Sequence, residues 1–159
     1  VTSVDEYYLT HPEEISSNTE SVTLSVECSK VFDRYDDLKQ SVKQSDILPS
    51  DGVILPETEY AIGNGDTVFD VLSRALQYNK VHLDYGGSAD SPMNAVYIKG
   101  INNLYEYDCG DLSGWMYSVN GEYSQVACSE YVLSDGDVIC WSYTCDLGVD
   151  LGRVYDDFD

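Results

Sequence analysis

Two stretches of strict alternation, near opposite ends of the chain, constrain its fold more than any other feature. Val22, Leu24, Val26 and Cys28 alternate with Thr23, Ser25 and Glu27, while Ile139, Trp141, Tyr143 and Cys145 share one parity. A period of two places each set on one face of a half-buried strand. Between them lies one strong helix signal. After Gly63-Asn64-Gly65, Asp66 or Thr67 can cap a segment in which Val68, Phe69, Leu72, Ala75 and Leu76 form a single apolar stripe, ending near Tyr78-Asn79-Lys80. One helix and several strands can bury these faces only against each other, which is an α+β layer arrangement.

The other elements fill in this outline. Phe32, Tyr35, Leu38 and Val42 recur at helical spacing and predict a short helix over 32–44, after the first strand. Residues 53–62 read as a strand weakened by Pro56. The stretch from Asp84 to Pro92, rich in Gly and Asp, reads as a loop. Strands are expected at 95–101 and at Trp115–Val119, the latter closed by Asn120-Gly121, and a turn at Ser134-Asp135-Gly136-Asp137 launches Val138–Thr144. The order matches a β-grasp (ubiquitin-like) mixed sheet packed on one main helix, with the first and last strands parallel at its centre.

The cysteines follow from the same parity. If both inward faces look toward the helix, Cys28 and Cys145 come together at the same ends of neighbouring strands, which predicts a bridge between them. Cys109 and Cys128 bracket the Trp115 hairpin, and bridging them would pin its loops. Cys140 points to the opposite face and is left as a free or intermolecular thiol. With no CxxC pair and only His11 and His82 to assist, the five cysteines do not suit a zinc site. Disulfides in an acidic, Tyr-rich chain indicate an extracellular protein, secreted or attached to a cell surface.

Charge excludes whole classes of partner. The 159 residues carry 29 acidic and 8 basic side chains, a formal net charge of −21. Such a surface repels nucleic-acid phosphates and anionic headgroups. No run approaches the roughly 18 apolar residues that span a bilayer, so no direct membrane insertion is expected. Residues 1–20, with five acids and no base, read as an acidic linker, 21–148 as the folded domain, and 149–159 as an acidic tail. Val1 in place of an initiator Met points to a processed protein or an excised segment.

Several of these segments resemble a known pattern. The run from Asn102 to Gly110 (NNLYEYDCG) and the run from Ser113 to Gly121 (SGWMYSVNG) are similar to the transcobalamin-like C-terminal domain. So are Cys128-Ser129-Glu130-Tyr131, Ser134 to Ile139, Tyr143 to Gly148, and Gly65 to Leu72 at the helix start. The resemblance covers roughly residues 22–148. It implies a β-grasp fold of a kind found in secreted and surface-attached bacterial proteins. In animal cobalamin carriers the related domain closes over the corrin together with a separate helical domain. The resemblance therefore implies a small ligand such as a corrinoid, held jointly with another domain of the same protein.

Residue chemistry points away from catalysis. No positioned nucleophile and base can be read: His11 falls in the linker and His82 follows a helix as a cap, and neither GxSxG nor HExxH occurs. We therefore expect no enzyme. Calcium is a second candidate ligand beside cobalamin, since Asp84–Asp90 or Asp146–Asp150 could supply oxygens, although neither follows the EF-hand spacing. Lys99, on a strand, admits an intramolecular Lys–Asn crosslink without a recognisable partner. The most suggestive feature is 14 tyrosines, each offering an apolar body and a hydroxyl. Trp115 and Tyr117 on the hairpin, flanked by Tyr105, Tyr107 and Tyr123, are the candidate ligand-binding residues of a rim formed by the 105–114 and 122–131 loops. A non-catalytic binding module for a small molecule, glycan or host protein is the leading reading. A disulfide-stabilised spacer is the alternative.

Overall fold

A computed structural model describes residues 20–88 and 95–152. Most of the expected N-terminal linker, His11, part of the Asp84–Asp90 loop and residues 153–159 lie outside them. Among the described residues eight strands form two sheets. The main sheet runs β2-β1-β8-β6-β7, from β1 (Ser21–Glu27), β2 (Val53–Ala61), β6 (Gly114–Val119), β7 (Glu122–Tyr123) and β8 (Val138–Thr144). The smaller one runs β3-β4-β5, from β3 (Leu83–Gly86), β4 (Tyr97–Ile101) and β5 (Leu104–Tyr105). β1 and β8 pair in parallel at the centre, and every other pair is antiparallel. The protein is thus a mixed α+β domain with few helices.

The alternation in β1 puts Val22, Leu24 and Val26 in the core at no more than 1% exposure. β2 is an edge strand. Leu24 pairs with Thr58 and Val26 with Leu55, so Pro56 falls in a bulge where its missing N–H removes no ladder bond. The long helix, Val68–Tyr78, starts with the reciprocal bonds of a capping box. Thr67 Oγ1 accepts from the Asp70 amide at 3.2 Å and the Asp70 carboxylate from the Thr67 amide at 2.9 Å. Its stripe Val68, Phe69, Val71, Leu72, Ala75 and Leu76 joins the same core as the inward residues of both sheets. Asp66, 8% exposed, holds Arg74 in a bidentate pair and accepts from the Gly63 amide at 2.7 Å, folding the preceding turn onto the helix.

The structure differs from the sequence expectation in three places. The single helix over 32–44 is instead a 3₁₀ segment (Ser29–Asp37) and a short α-helix (Gln40–Ser45), separated by extended Leu38 at φ −72° and ψ 136°. Leu38 and Val42 are buried, but Phe32 and Tyr35 are each 42% exposed, so the helical spacing is spread over two turns that face different ways. The predicted loop from Asp84 contains β3, whose Gly and Asp residues hide a four-residue strand. Residues 149–152, expected in the tail, lie back on the domain. A 3₁₀ turn at Val149–Leu151 packs on β8, where Asp150 accepts from the Cys145 amide at 2.8 Å and from the Thr144 hydroxyl.

Candidate functional site

Of the five candidate residues, the two at the centre of the proposed rim lie in the core. Trp115 and Tyr117 are 9% and 7% exposed. Trp115 Nε1 donates to the Leu104 carbonyl at 2.9 Å, and the Tyr117 hydroxyl donates to the Val126 carbonyl. The cause is position in the sheet: β6 is flanked on both sides, and the parity of Trp115, Tyr117 and Val119 is its core side. Tyr123 is half-buried, with its hydroxyl 3.3 Å from the Leu151 carbonyl it donates to. Tyr107 is 56% exposed, at φ 70° in the loop before β6. Tyr105 is half-buried and belongs to the small sheet.

That small sheet holds the most organised polar and aromatic surface among the described residues. Asp84, Gly100 and Tyr105 stand in one row across β3, β4 and β5. The Tyr105 ring lies across the Gly100 backbone, and its hydroxyl donates to Asp84 Oδ2 at 2.9 Å. In the neighbouring row the Tyr97 ring lies over Gly86 and is 52% exposed. Neither ring could keep its place over a side chain: a Cβ would come within 2.6 Å of the Tyr97 ring at Gly86, and within 2.9 Å of the Tyr105 ring at Gly100. Lys99 Nζ sits 6.0 Å from the Tyr97 ring centroid. On the opposite parity Ile98, Ile101 and Leu104 are buried in the core, and Tyr85, 46% exposed, packs edge-on against Phe69 of the long helix, ring centroids 4.8 Å apart.

His82 orders this face. It accepts at Nδ1 from the Asn103 amide at 2.9 Å, and its Nε2 lies 2.9 Å from the Tyr105 hydroxyl. With Nδ1 accepting, a neutral imidazole carries its proton on Nε2, so the chain runs His82 to Tyr105 to Asp84 with each group donating to the next. Its anchor is the β4–β5 hairpin turn at Asn102-Asn103, both left-handed at φ 54° and 64°. Burial, followed by the Asp84 carboxylate, pushes the Tyr105 phenol above its ordinary value. A phenol so held stays protonated as a hydrogen-bond donor and is a weaker acid than an ordinary tyrosine. The arrangement therefore suits binding through stacked rings, a carboxylate and an ammonium better than proton transfer.

Other candidate chemistry is already committed to the fold. The helix N-terminus is closed by the 128–133 segment, where the Val68 and Phe69 amides donate to the Tyr131 and Cys128 carbonyls at 3.0 and 2.9 Å. Of the calcium candidates, Asp84 is bonded to Tyr105, Asp150 to β8, and Asp146 lies 3.8 Å from Arg34. Among the described residues no group of three or more His, Cys, Asp or Glu is arranged to hold a metal. None of their helices is long and apolar enough to cross a membrane.

The structure contains neither the expected Cys28–Cys145 bridge nor the Cys109–Cys128 bridge. β1 and β8 align Glu27 with Ser142, which sets Cys28 opposite Tyr143 and two residues short of Cys145. The thiol nearest Cys145 is Cys109, sulfur to sulfur 3.2 Å, while Cys128 Sγ faces the Val96 carbonyl at 3.6 Å. All five are free thiols in the structure, with Cys140 half-buried and 3.4 Å from the Ser142 hydroxyl.

No curated protein matches the sequence. Among solved structures the chain is similar to haptocorrin in complex with Cbi, at a TM-score of 0.50 and 13% identity over 82% of this chain. The match spans 26% of haptocorrin, about a quarter of its length. That likeness is one of fold. A candidate metal-binding protein from Ruminococcus gnavus ATCC 29149 aligns at a TM-score of 0.43 and 14% identity, over 79% of this chain and 96% of that one. A family match covers residues 65–145, half of the chain and all of the small sheet, the long helix and β8, and the chain belongs to that family, described as Domain of unknown function (DUF4430).

Proposed function

We propose that this is a β-grasp domain acting as a non-catalytic, extracellular binding module, with the outer face of the small sheet as its contact surface. The observation that carries the reading is the pair of tyrosine side chains, Tyr97 and Tyr105, that cover Gly86 and Gly100 beside Asp84 and Lys99. Flat aromatic surface with a charged rim suits a ring-shaped ligand bearing polar groups. The transcobalamin-like resemblance supports a corrinoid, held jointly with another domain of the same surface protein; a glycan or a host protein would use the same chemistry. The parallel pairing of first and last long strands around one main helix supports the β-grasp assignment. The formal charge of −21 leaves nucleic acid out of the partner list.

Equilibrium titration of the domain with cobalamin and with a glycan panel tests this. Binding that is lost in Tyr97→Ala, but retained in a control such as Tyr35→Ala, supports it. The competing reading is a structural spacer, which the burial of Trp115 and Tyr117 favours. Silence in both titrations, with the variants as stable as the parent, would select the spacer.

A further inference from the structure

Two thiols meet where the loop 106–113 reaches the end of β8. Cys109 Sγ and Cys145 Sγ are 3.2 Å apart, closer than sulfur atoms sit in ordinary van der Waals contact, and the residues are 2% and 4% exposed. Their remaining polar neighbours are weak: Cys109 Sγ faces the Arg34 carbonyl at 3.5 Å and Cys145 Sγ the Lys30 carbonyl at 3.8 Å. Among the described residues the other cysteine sulfurs with polar contacts face oxygen: Cys128 Sγ the Val96 carbonyl and Cys140 Sγ the Ser142 hydroxyl. The site joins three segments that are also held by backbone bonds and by two ion pairs, Arg34 to Asp146 at 3.8 Å and Lys39 to Asp108 at 3.6 Å. The Lys39 amide donates to the Asp108 carbonyl at 2.8 Å, and the Leu147 amide to the Leu112 carbonyl at 3.0 Å.

We propose that Cys109 and Cys145 form a disulfide, made by exchange with a small-molecule disulfide oxidant. One protein thiolate attacks a sulfur of the oxidant, forming a mixed disulfide and releasing one small thiol. The second protein thiolate attacks the bonded sulfur, closing Cys109–Cys145 and releasing the other. The two protons and two electrons of the protein thiols end on the two released thiols. The crosslink closes 36 residues of chain and fixes the base of the loop that carries exposed Tyr107. Burial holds both thiols above their ordinary values, so few thiolates exist in the closed domain. Exchange therefore proceeds while the loop is open, during folding, and the same burial shields the finished bond from reductants.

The full chain, refolded in a buffer of reduced and oxidised glutathione, provides the test. Non-reducing digestion should yield a Cys109–Cys145 peptide pair, and the intact protein should be lighter by two hydrogens. Reducing the bond with dithiothreitol in denaturant, then refolding with the reductant present, should lower Tm by roughly 10 °C, given the loop it closes. Cys109→Ser and Cys145→Ser should each abolish that difference, and Cys140→Ser should leave it unchanged. A map joining either residue to a different cysteine overturns the proposal. So does labelling of all five thiols after denaturation of the oxidised protein.

Discussion

The Tyr105 hydroxyl reaches Asp84 at 2.9 Å by laying its ring across Gly100, so a side chain spans the whole width of the small sheet. The bridge exists because the strand it crosses presents no Cβ there. Gly100→Ala would put a methyl within 2.9 Å of the ring. The ring must then swing out and the Asp84 bond break, at an expected loss of about 2 kcal/mol by urea unfolding. A wild-type unfolding midpoint in the alanine variant would show that the ring does not need the glycine.

The two tryptophans should respond differently to the same substitution. Trp115 Nε1 is bonded to the Leu104 carbonyl at 2.9 Å, whereas buried Trp141 Nε1 has no hydrogen-bond partner among the described residues. Trp115→Phe removes a buried hydrogen bond to the Leu104 carbonyl, while Trp141→Phe removes a donor that was already unpaired. Trp115→Phe should be the more destabilising by about 1–2 kcal/mol in parallel denaturant titrations. Equal losses would count against this account.

Glu27 sets a pH dependence. Burial disfavours its charged form and raises its pKa above 4.5, against the lowering effect of its bonds from the Ser29 amide and hydroxyl. The folded state therefore holds this proton more tightly than the unfolded chain. The stabilisation is complete below the ordinary value and is lost as pH rises through the folded one. Glu27→Gln should be more stable than the parent at neutral pH, and the gap should close as the pH falls to 4. Thermal melts across that range, with a gap that widens toward acid, would reverse the sign assigned here.

Asp66 and Arg74 clamp the turn before the long helix in a bidentate pair whose carboxylate is nearly buried and whose guanidinium is about a third exposed. Asp66→Asn leaves the guanidinium without its anion and should destabilise the domain by about 2 kcal/mol, allowing for the exposure of Arg74. Arg74→Met keeps the packed stem and still strands the carboxylate, so its loss should be similar. Melting curves unchanged by either substitution would mean that the pair holds nothing in place.

Legibility followed the range of the interaction. The helix start at Asp66 or Thr67, the helix stripe from Val68 to Leu76 and the Asn120-Gly121 turn are made by residues a few positions apart, and each could be read directly, although only the structure chose Thr67 as the cap, with Asp70 as its reciprocal partner. Strand β3 was hidden because four residues containing Asp and Gly are stabilised only by their ladder to β4. The contact face was half legible. Tyr105 could be singled out as an aromatic near the surface, but Tyr97, Asp84 and His82 join it only through strand register.

What the sequence by itself determined is the layer pattern. Alternation in 22–28 and 139–145 and a single apolar helix stripe admit few packings, because each apolar face must be covered. What only the tertiary structure decided is which side chains meet. Parity assigns Trp115 and Tyr117 to a face but cannot say that neighbours on both sides bury it. It brings Cys28 and Cys145 to the same face, but a parallel register two residues out separates them, and a loop distant in sequence delivers Cys109 instead. Pairing across a sheet is decided by the sum of many weak contacts over long chain separations, and no single residue carries that sum.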